Sequence, residues 1–304
     1  MKYIACLILL TFSLEAFEYN LVPQKLTESV YCFFGKPENI SKENGGNMVN
    51  TCFVQTKEGF VVIDSGPTFG YASQAYQAMQ KIAELPVKYV INTHDHDDHW
   101  LGNSFYKEKG ALLIGPRTYE QNIHPGDHTR MQRILRKEDY EGTKIVKLDK
   151  IVDTNMTLKL GGMHFKISQP VSQAHTKGDL IVYIPDNKVL FVGDLAFNDR
   201  ITSLRDGSVI GSIRAIEKIE KLGADIIVTG HGYLTSDKAT ASEKSYLLRL
   251  KKDVLRAIDN EVEIDKINDV VKLETFKTLK LYDVLNRRNV FDAYRELELY
   301  EEEE

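Results

Sequence analysis

Short apolar runs recur along the chain, and nearly every one ends at a cluster of turn-forming or ionisable residues. Gly59 to Ile63 runs into Asp64-Ser65-Gly66, Val87 to Ile91 leads to Thr93 through His99, and Leu112 to Ile114 meets Gly115-Pro116. Further on, Leu158 to Leu160 and the alternating His164-Phe165-Lys166-Ile167 precede Pro170 to His175, Val189 to Val192 precede Gly193-Asp194, and Asp225 to Val228 precede Gly230-His231. Runs of this kind, bounded by turn residues, predict buried strands. Between them the spacing becomes helical. Ala75, Met79, Ile82 and Ala83 share one face of a helix closed by Pro86, and Ile213, Ile216, Ile219 and Leu222 share one closed by Gly223. Strands alternating with helices predict a layered α/β core. After about Tyr233 the strand signals stop. Leu247, Leu250, Val254 and Ile258 form one helical stripe, and Ile264 to Leu273, Phe276 to Leu285 and Val290 to Leu299 predict further helices. The chain therefore divides into a main domain over 17–234 and a C-terminal helical extension over 235–304, whose Leu and Ile stripes serve packing.

Composition sets the partners and the address. With 304 residues and 42% hydrophobic content the chain buries a substantial core. A net charge of -5, an acidic end at Glu301 to Glu304 and basic clusters no longer than Arg287-Arg288 argue against nucleic acid. Residues 1–16 carry Lys2, an almost wholly apolar stretch from Tyr3 to Phe12 and the small Ala16, the pattern of a secretory signal peptide cleaved near Ala16-Phe17. The competing reading is a buried first strand. Cys6 precedes most of that apolar stretch and is a poor lipid anchor. No later segment is apolar enough to span a bilayer, so the expected location is periplasmic or secreted, with no membrane contact after signal removal. In an oxidising compartment Cys32 and Cys52 either bridge or stay two buried thiols. Val30 to Phe34 and Val49 to Val54 read as adjacent strands around Asn44-Gly45-Gly46-Asn47, which would bring the two cysteines across from each other.

The segment Thr93-His94-Asp95-His96-Asp97-Asp98-His99 places three imidazoles and three carboxylates in seven residues, although the chain has only eight histidines. A loop entering a helix converges His94 and His96 on one metal ion and aims Asp98 and His99 at a second.

Together with His175 in Ala174-His175-Thr176-x-Gly178-Asp179, then Gly193-Asp194 and Gly230-His231, this segment resembles the metallo-β-lactamase superfamily in residue type and order, from about Asn47 to His231. All five family motifs are matched, counting Asp64 in Val62-Ile63-Asp64-Ser65-Gly66. The resemblance implies a four-layer αββα sandwich of the α/β (α+β) class. It also implies a dinuclear centre in which His94, His96 and His175 hold one ion, Asp98, His99 and His231 hold the other, and Asp194 bridges them. Zinc is the expected metal from nitrogen and oxygen donors, with iron or manganese also accepted by such a set. The implied activity is hydrolysis of an ester, thioester, lactone or amide-like bond in a small-molecule substrate by metal-activated water. Asp98 then doubles as a catalytic residue that orients the attacking water through its second oxygen.

The resemblance also carries alternatives. Class B β-lactamases resembling this chain usually have Cys or Ser where Asp194 stands, whereas a bridging Asp resembles glyoxalase II, so β-lactam hydrolysis is the second reading. A mononuclear iron persulfide dioxygenase-like oxidoreductase is the third. The flanks Glu43-Asn44-Gly45-Gly46-Asn47, Leu204-Arg205-Asp206-Gly207-Ser208, Asn286-Arg287-Arg288-Asn289-Val290 and Tyr294-x-x-Leu297-Glu298 look like secreted metallohydrolases encoded beside sulfur-oxidation or quinoprotein dehydrogenase systems. Asp64 either fixes a ligand imidazole from behind or caps a strand end. His124 and His128 either overhang the site or sit in solvent, His164 is structural, and Trp100 packs a helix rather than stacking substrate. Lys36 to Asn47 is either a flap over the metals or an ordinary hairpin loop. Substrate and oligomeric state stay open at this level.

Overall fold

The computed structural model describes residues 16–300; residues 1–15, with Cys6 and the stretch read as a signal peptide or a first strand, and the acidic Glu301 to Glu304 lie outside the described residues. Two sheets face each other. The first runs in spatial order β1 (Gln24–Lys25), β2 (Val30–Phe33), β3 (Thr51–Gln55), β4 (Phe60–Ile63), β5 (Val87–Ile91), β6 (Leu112–Pro116) and β7 (Lys150–Val152). The second holds β8 (Asn155–Leu160), β9 (Met163–Ser168), β10 (Ile181–Ile184), β11 (Val189–Phe197) and β12 (Ile226–His231), again in spatial sequence.

Period-two alternation sorts the side chains of each strand between two cores. Cys52, Val54, Val61 and Ile63 point to the inter-sheet core, where they meet Phe165, Val182, Val189 and Phe191 of the other sheet. Their neighbours Phe53, Phe60 and Val62 face the opposite way, onto α1 (Phe69–Gln80). On the far side, Leu190 and Val192 of β11 pack on Ala215 and Ile219 of α6 (Val209–Lys221). Helix, sheet, sheet, helix is the four-layer sandwich expected.

The remaining helices are α2 (Asp97–Trp100), α3 (Asn103–Glu108), α4 (Arg117–Asn122), α5 (Arg130–Ile134), α7 (Ala241–Asp259), α8 (Ile267–Val270) and α9 (Tyr282–Leu297). Leu247, Leu250 and Val254 of α7 and Val290, Ala293 and Leu297 of α9 share a buried core with Ile213 and Ile216 of α6, so the C-terminal helices pack on the sandwich. Here the structure departs from the periodicity. The stretches Phe276 to Leu285 and Val290 to Leu299 predict two helices, but one helix begins at Tyr282 and runs to Leu297. Its start is set by tertiary pairing: Lys280 donates its amide to the Asp199 carbonyl at 3.0 Å and accepts from the Ile201 amide at 3.1 Å, and Leu281 then turns through φ 63°. Likewise only Ile267–Val270 of the Ile264 to Leu273 stretch is helical, since Val271 already turns to extended backbone at φ -106° and ψ 104° and Leu273 follows at φ 53°. No helix among the described residues is long and apolar enough to cross a membrane.

Cys32 and Cys52 are directly opposite across β2 and β3, 4.0 Å apart at Cα, and are disulfide-bonded, which decides between the bridge and two thiols. The Lys36 to Asn47 loop is tied down at its end. Asn44 Oδ1 accepts the Ser41 and Gly46 amides at 3.0 and 2.9 Å, and the Tyr19 hydroxyl donates to the Gly45 carbonyl at 2.8 Å.

Candidate metal centre

Strands β4, β5 and β6 are parallel, as are β11 and β12, so the loops at their C-terminal ends gather along one edge of the sandwich. That edge is where open α/β sheets bind ligands. Asp64 follows β4, the His94 to His99 turn follows β5, Asp194 lies in the last part of β11, His231 ends β12, and His175 comes from the β9–β10 connection. Two glycines make the convergence possible. Gly193 sits at φ 51° in a bulge of β11, where a Cβ would lie 2.6 Å from Thr93 Oγ1. At Gly230 a Cβ would fall 1.9 Å from Asp194 Oδ1. Neither position has room for a side chain.

Seven side chains meet in two groups: His94, His96, His175 and Asp194 in one, Asp98, His99 and His231 in the other, with the offered donor atoms of each group within 4.8 Å of one another. Asp194 faces both. Its Oδ2 is 3.7 Å from His94 Nε2 and 3.3 Å from His175 Nε2, while Oδ1 is 3.2 Å from His99 Nε2 and Oδ2 is 3.3 Å from His231 Nε2. His96 turns its Nδ1 inward, 2.9 Å from His175 Nε2.

Most of these imidazoles are held from behind by their other nitrogen. His99 Nδ1 is 2.8 Å from Asp64 Oδ2, His94 Nδ1 is 3.1 Å from Thr93 Oγ1, His96 Nε2 is 3.3 Å from Asp206 Oδ2, and His231 Nδ1 donates to the Met48 carbonyl. Asp64 also accepts the Thr93 amide and hydroxyl at 2.8 Å each, from a backbone held at φ 56°. It therefore supports the His99 imidazole and pins the start of the histidine turn at once. Such partners fix ring orientation and tautomer. Asp64→Asn is expected to weaken metal affinity or turnover by about 10- to 100-fold with the fold intact; equilibrium dialysis against zinc checks it.

The donor atoms fit a metal. His94 Nε2, His99 Nε2 and Asp194 Oδ1 are buried with no hydrogen-bond partner among the described residues. A buried unsatisfied polar atom costs about 1–3 kcal/mol, and several aimed into one space mark a place built for a cation. Charge agrees. Burial and the neighbouring imidazoles hold His94 well below its usual value, and burial takes His175 down to about 3, so both offer neutral lone pairs. Burial opposes a proton on His99 too, yet Asp194, Asp64 and Asp98 outweigh it and raise that group well above its usual value. Those three carboxylates demand positive charge in the space between them. Nitrogen and oxygen donors without thiolate suit zinc, iron or manganese.

Sequence reasoning missed Arg130. Its Nη2 donates to Asp98 Oδ1 at 2.6 Å, so the carboxylate oxygen expected to orient water already accepts from a guanidinium, and Oδ2 is the atom turned to His99 and His231. Trp100 is buried, with Nε1 donating to the Asp95 carbonyl at 3.0 Å and its ring 5.1 Å from Tyr119, as packing requires. His128 lines a cleft of about 480 Å³ that also includes His96, and His124 is exposed outside it. His164 sits on β9 beside Asp186, 3.4 Å away.

Behind the centre, the Arg200 guanidinium lies 5.3 Å from the Phe197 ring, which stacks on His231 at 5.5 Å. Glu243 of α7 is buried, and burial raises its carboxyl to about 8, with Asp194 adding to the rise and Arg200 opposing it. The unfolded chain ionises this group near 4.5 and the folded chain near 8, so the stability it contributes is complete below about pH 4.5 and is lost as pH rises through 8. Glu243→Gln does not ionise. In EDTA-treated protein it is expected to change the melting temperature little at about pH 5 and to raise it by several degrees at about pH 8. Circular dichroism melts at the two pH values check this.

The sequence profile of the Metallo-beta-lactamase superfamily matches residues 44–231. The hydroxyacylglutathione hydrolase of Brucella anthropi is 27% identical over 195 residues, 61% of this chain and 65% of that protein. That of Brucella ovis is 29% identical over 147 residues, 48% of each. The chain thus spans from about half to just under two thirds of the length of these relatives. Among solved structures, a metallo-beta-lactamase from Pontibacter korlensis superposes with TM-score 0.60 at 21% identity, covering 75% of this chain and 99% of that one.

Proposed function

The chain belongs to the metallo-beta-lactamase superfamily, and from that premise we propose that it is a metal-dependent hydrolase with two zinc ions that cleaves an ester, thioester, lactone or amide-like bond. The observation that carries the proposal is the meeting of seven donor side chains in two groups, with buried lone pairs left unsatisfied between them. In this reading His94, His96 and His175 hold one ion, Asp98, His99 and His231 the other, and Asp194 lies between. Bound there, two divalent ions supply Lewis acidity and a nucleophilic water at neutral pH. The chain's own residues do the rest. Asp64, Thr93, Asp206 and the Met48 carbonyl keep four imidazoles aimed, so little reorganisation accompanies the reaction.

The substrate enters beside His96, where a cleft of about 410 Å³ is lined by Asp95, Asn122, Thr176, Lys177 and Asp206. Tyr233 and Leu234, half exposed and separated from His231 by Gly232 alone, supply an apolar surface for an acyl or leaving group, with Phe34 6.3 Å from the Tyr233 ring. The relatives named hydroxyacylglutathione hydrolase make a thioester the first substrate class to test. The Cys32–Cys52 disulfide supports a location outside the reducing cytosol, periplasmic or secreted.

The test is a screen of zinc-loaded protein on thioesters, lactones, phosphoesters and β-lactams, with His96→Ala as control. Thioester, ester or lactone turnover that falls by about 100-fold or more in the variant is expected. Turnover of β-lactams alone overturns the ester, thioester and lactone reading in favour of a β-lactamase, and turnover of none of these classes overturns the proposal.

A further inference from the structure

Asp97 and Asp98 are adjacent in the chain, yet their carboxylates have different partners, and one side chain joins them. Asp98 is buried, and its Oδ2 lies 3.6 Å from His99 Nε2 and 3.4 Å from His231 Nε2, inside the second ligand group. Its Oδ1 lies outside that group and accepts from Arg130 Nη2 at 2.6 Å. Rotation of the carboxylate about its Cβ–Cγ bond would exchange these oxygens and break the charge-assisted bond, one of the stronger kinds available to a protein.

Arg130 is itself held in place. Its Nε donates to Asp97 Oδ1 at 2.7 Å and its backbone amide to Asp97 Oδ2 at 2.6 Å, with the Met131 amide on the same oxygen at 3.3 Å. Asp97 thus shares the first turn of α5 with Thr129, whose hydroxyl accepts the Gln132 amide at 3.1 Å. The next residue, Met131, is fully buried in a small core with Trp100, Met48 and Tyr119. That core stands directly behind the second group: Trp100 follows His99 in the chain, and the Met48 carbonyl receives His231 Nδ1.

We propose that Arg130 is the positioning residue of the second metal group, locking Asp98 so that Oδ2 alone is presented to the ion. The assignment rests on the two-ion reading above. It gives each ligand of the second group its own support: Arg130 for Asp98, Asp64 for His99 and the Met48 carbonyl for His231. The first group has no tie to Arg130, so loss of the guanidinium strikes one ion and spares the other.

Calorimetric titration of the metal-stripped full chain with Zn²⁺ separates the outcomes. Wild type is expected to take up two ions. Arg130→Met is expected to bind the first with affinity within about twofold of wild type and the second about 10- to 100-fold more weakly. Should that variant fail to fold, Arg130→Lys carries the same test with a smaller loss, because one ammonium cannot grip Asp97 and Asp98 together as a guanidinium fork does. Unchanged affinity for the second ion overturns the assignment, as does equal weakening of both ions with a lowered melting temperature, which marks a general packing role. A wild type that binds fewer than two ions instead strikes the two-ion reading on which the assignment stands.

Discussion

Replacing Asp194 by Asn is expected to lower kcat/KM by at least about a thousandfold, a transition-state loss of about 4 kcal/mol. The substitution keeps the size of the side chain, so Gly230, whose missing Cβ leaves room for it, is undisturbed. What disappears is one negative charge and one acceptor oxygen at a side chain that faces both groups, with Oδ2 3.3 Å from His175 and His231 and Oδ1 3.2 Å from His99. Two like-charged ions held close together repel each other strongly at low dielectric, and a carboxylate between them is what offsets that repulsion. An amide presents one neutral oxygen and a donor where an acceptor is needed. Steady-state kinetics on the substrate found by the screen read the loss, and a variant within about tenfold of wild type rejects the bridging role.

Stripping the metal with a chelator is expected to lower the melting temperature by about 10 °C or more, reversibly on adding back zinc. A ligand present at about a thousand times its dissociation constant stabilises the folded state by about 4 kcal/mol per site. In a domain of this size each kcal/mol moves the midpoint by about 2–4 °C. The structural reason is local. Without a cation, the buried His94 Nε2, His99 Nε2 and Asp194 Oδ1 have no hydrogen-bond partner among the described residues, and Asp64 and Asp194 share the His99 proton while Asp98 keeps Arg130. Differential scanning calorimetry of chelated and zinc-reloaded protein measures the difference. Superposable melts contradict it.

The meeting of the seven side chains was legible because they are scarce types sitting at strand ends. His94, His96, Asp98 and His99 announce themselves within one turn, and His175, Asp194 and His231 each follow a readable apolar run. What the chain's pattern did not display is the support. Arg130 reaches Asp98 across 32 positions, Asp206 reaches His96 across 110, and the Met48 carbonyl reaches His231 across 183. An arginine or a backbone carbonyl at such distance carries no local signature. The C-terminal boundaries failed for a related reason, since the backbone bonds of Lys280 to Asp199 and Ile201 override a helical stripe.

That C-terminal layer also reaches the centre. Glu296 of α9 accepts the Ser208 hydroxyl and the Val209 amide at 2.5 and 2.6 Å, and Asn289 accepts the Leu204 amide at 3.1 Å. Both grip the loop that carries Asp206 to His96.

Metal content tests the central claim most directly. Elemental analysis of protein purified with zinc and dialysed is expected to give two zinc ions per chain for wild type and one for Asp98→Ala, whose first group of His94, His96, His175 and Asp194 is untouched. One iron and no zinc in the wild type, or no retained metal, contradicts the account.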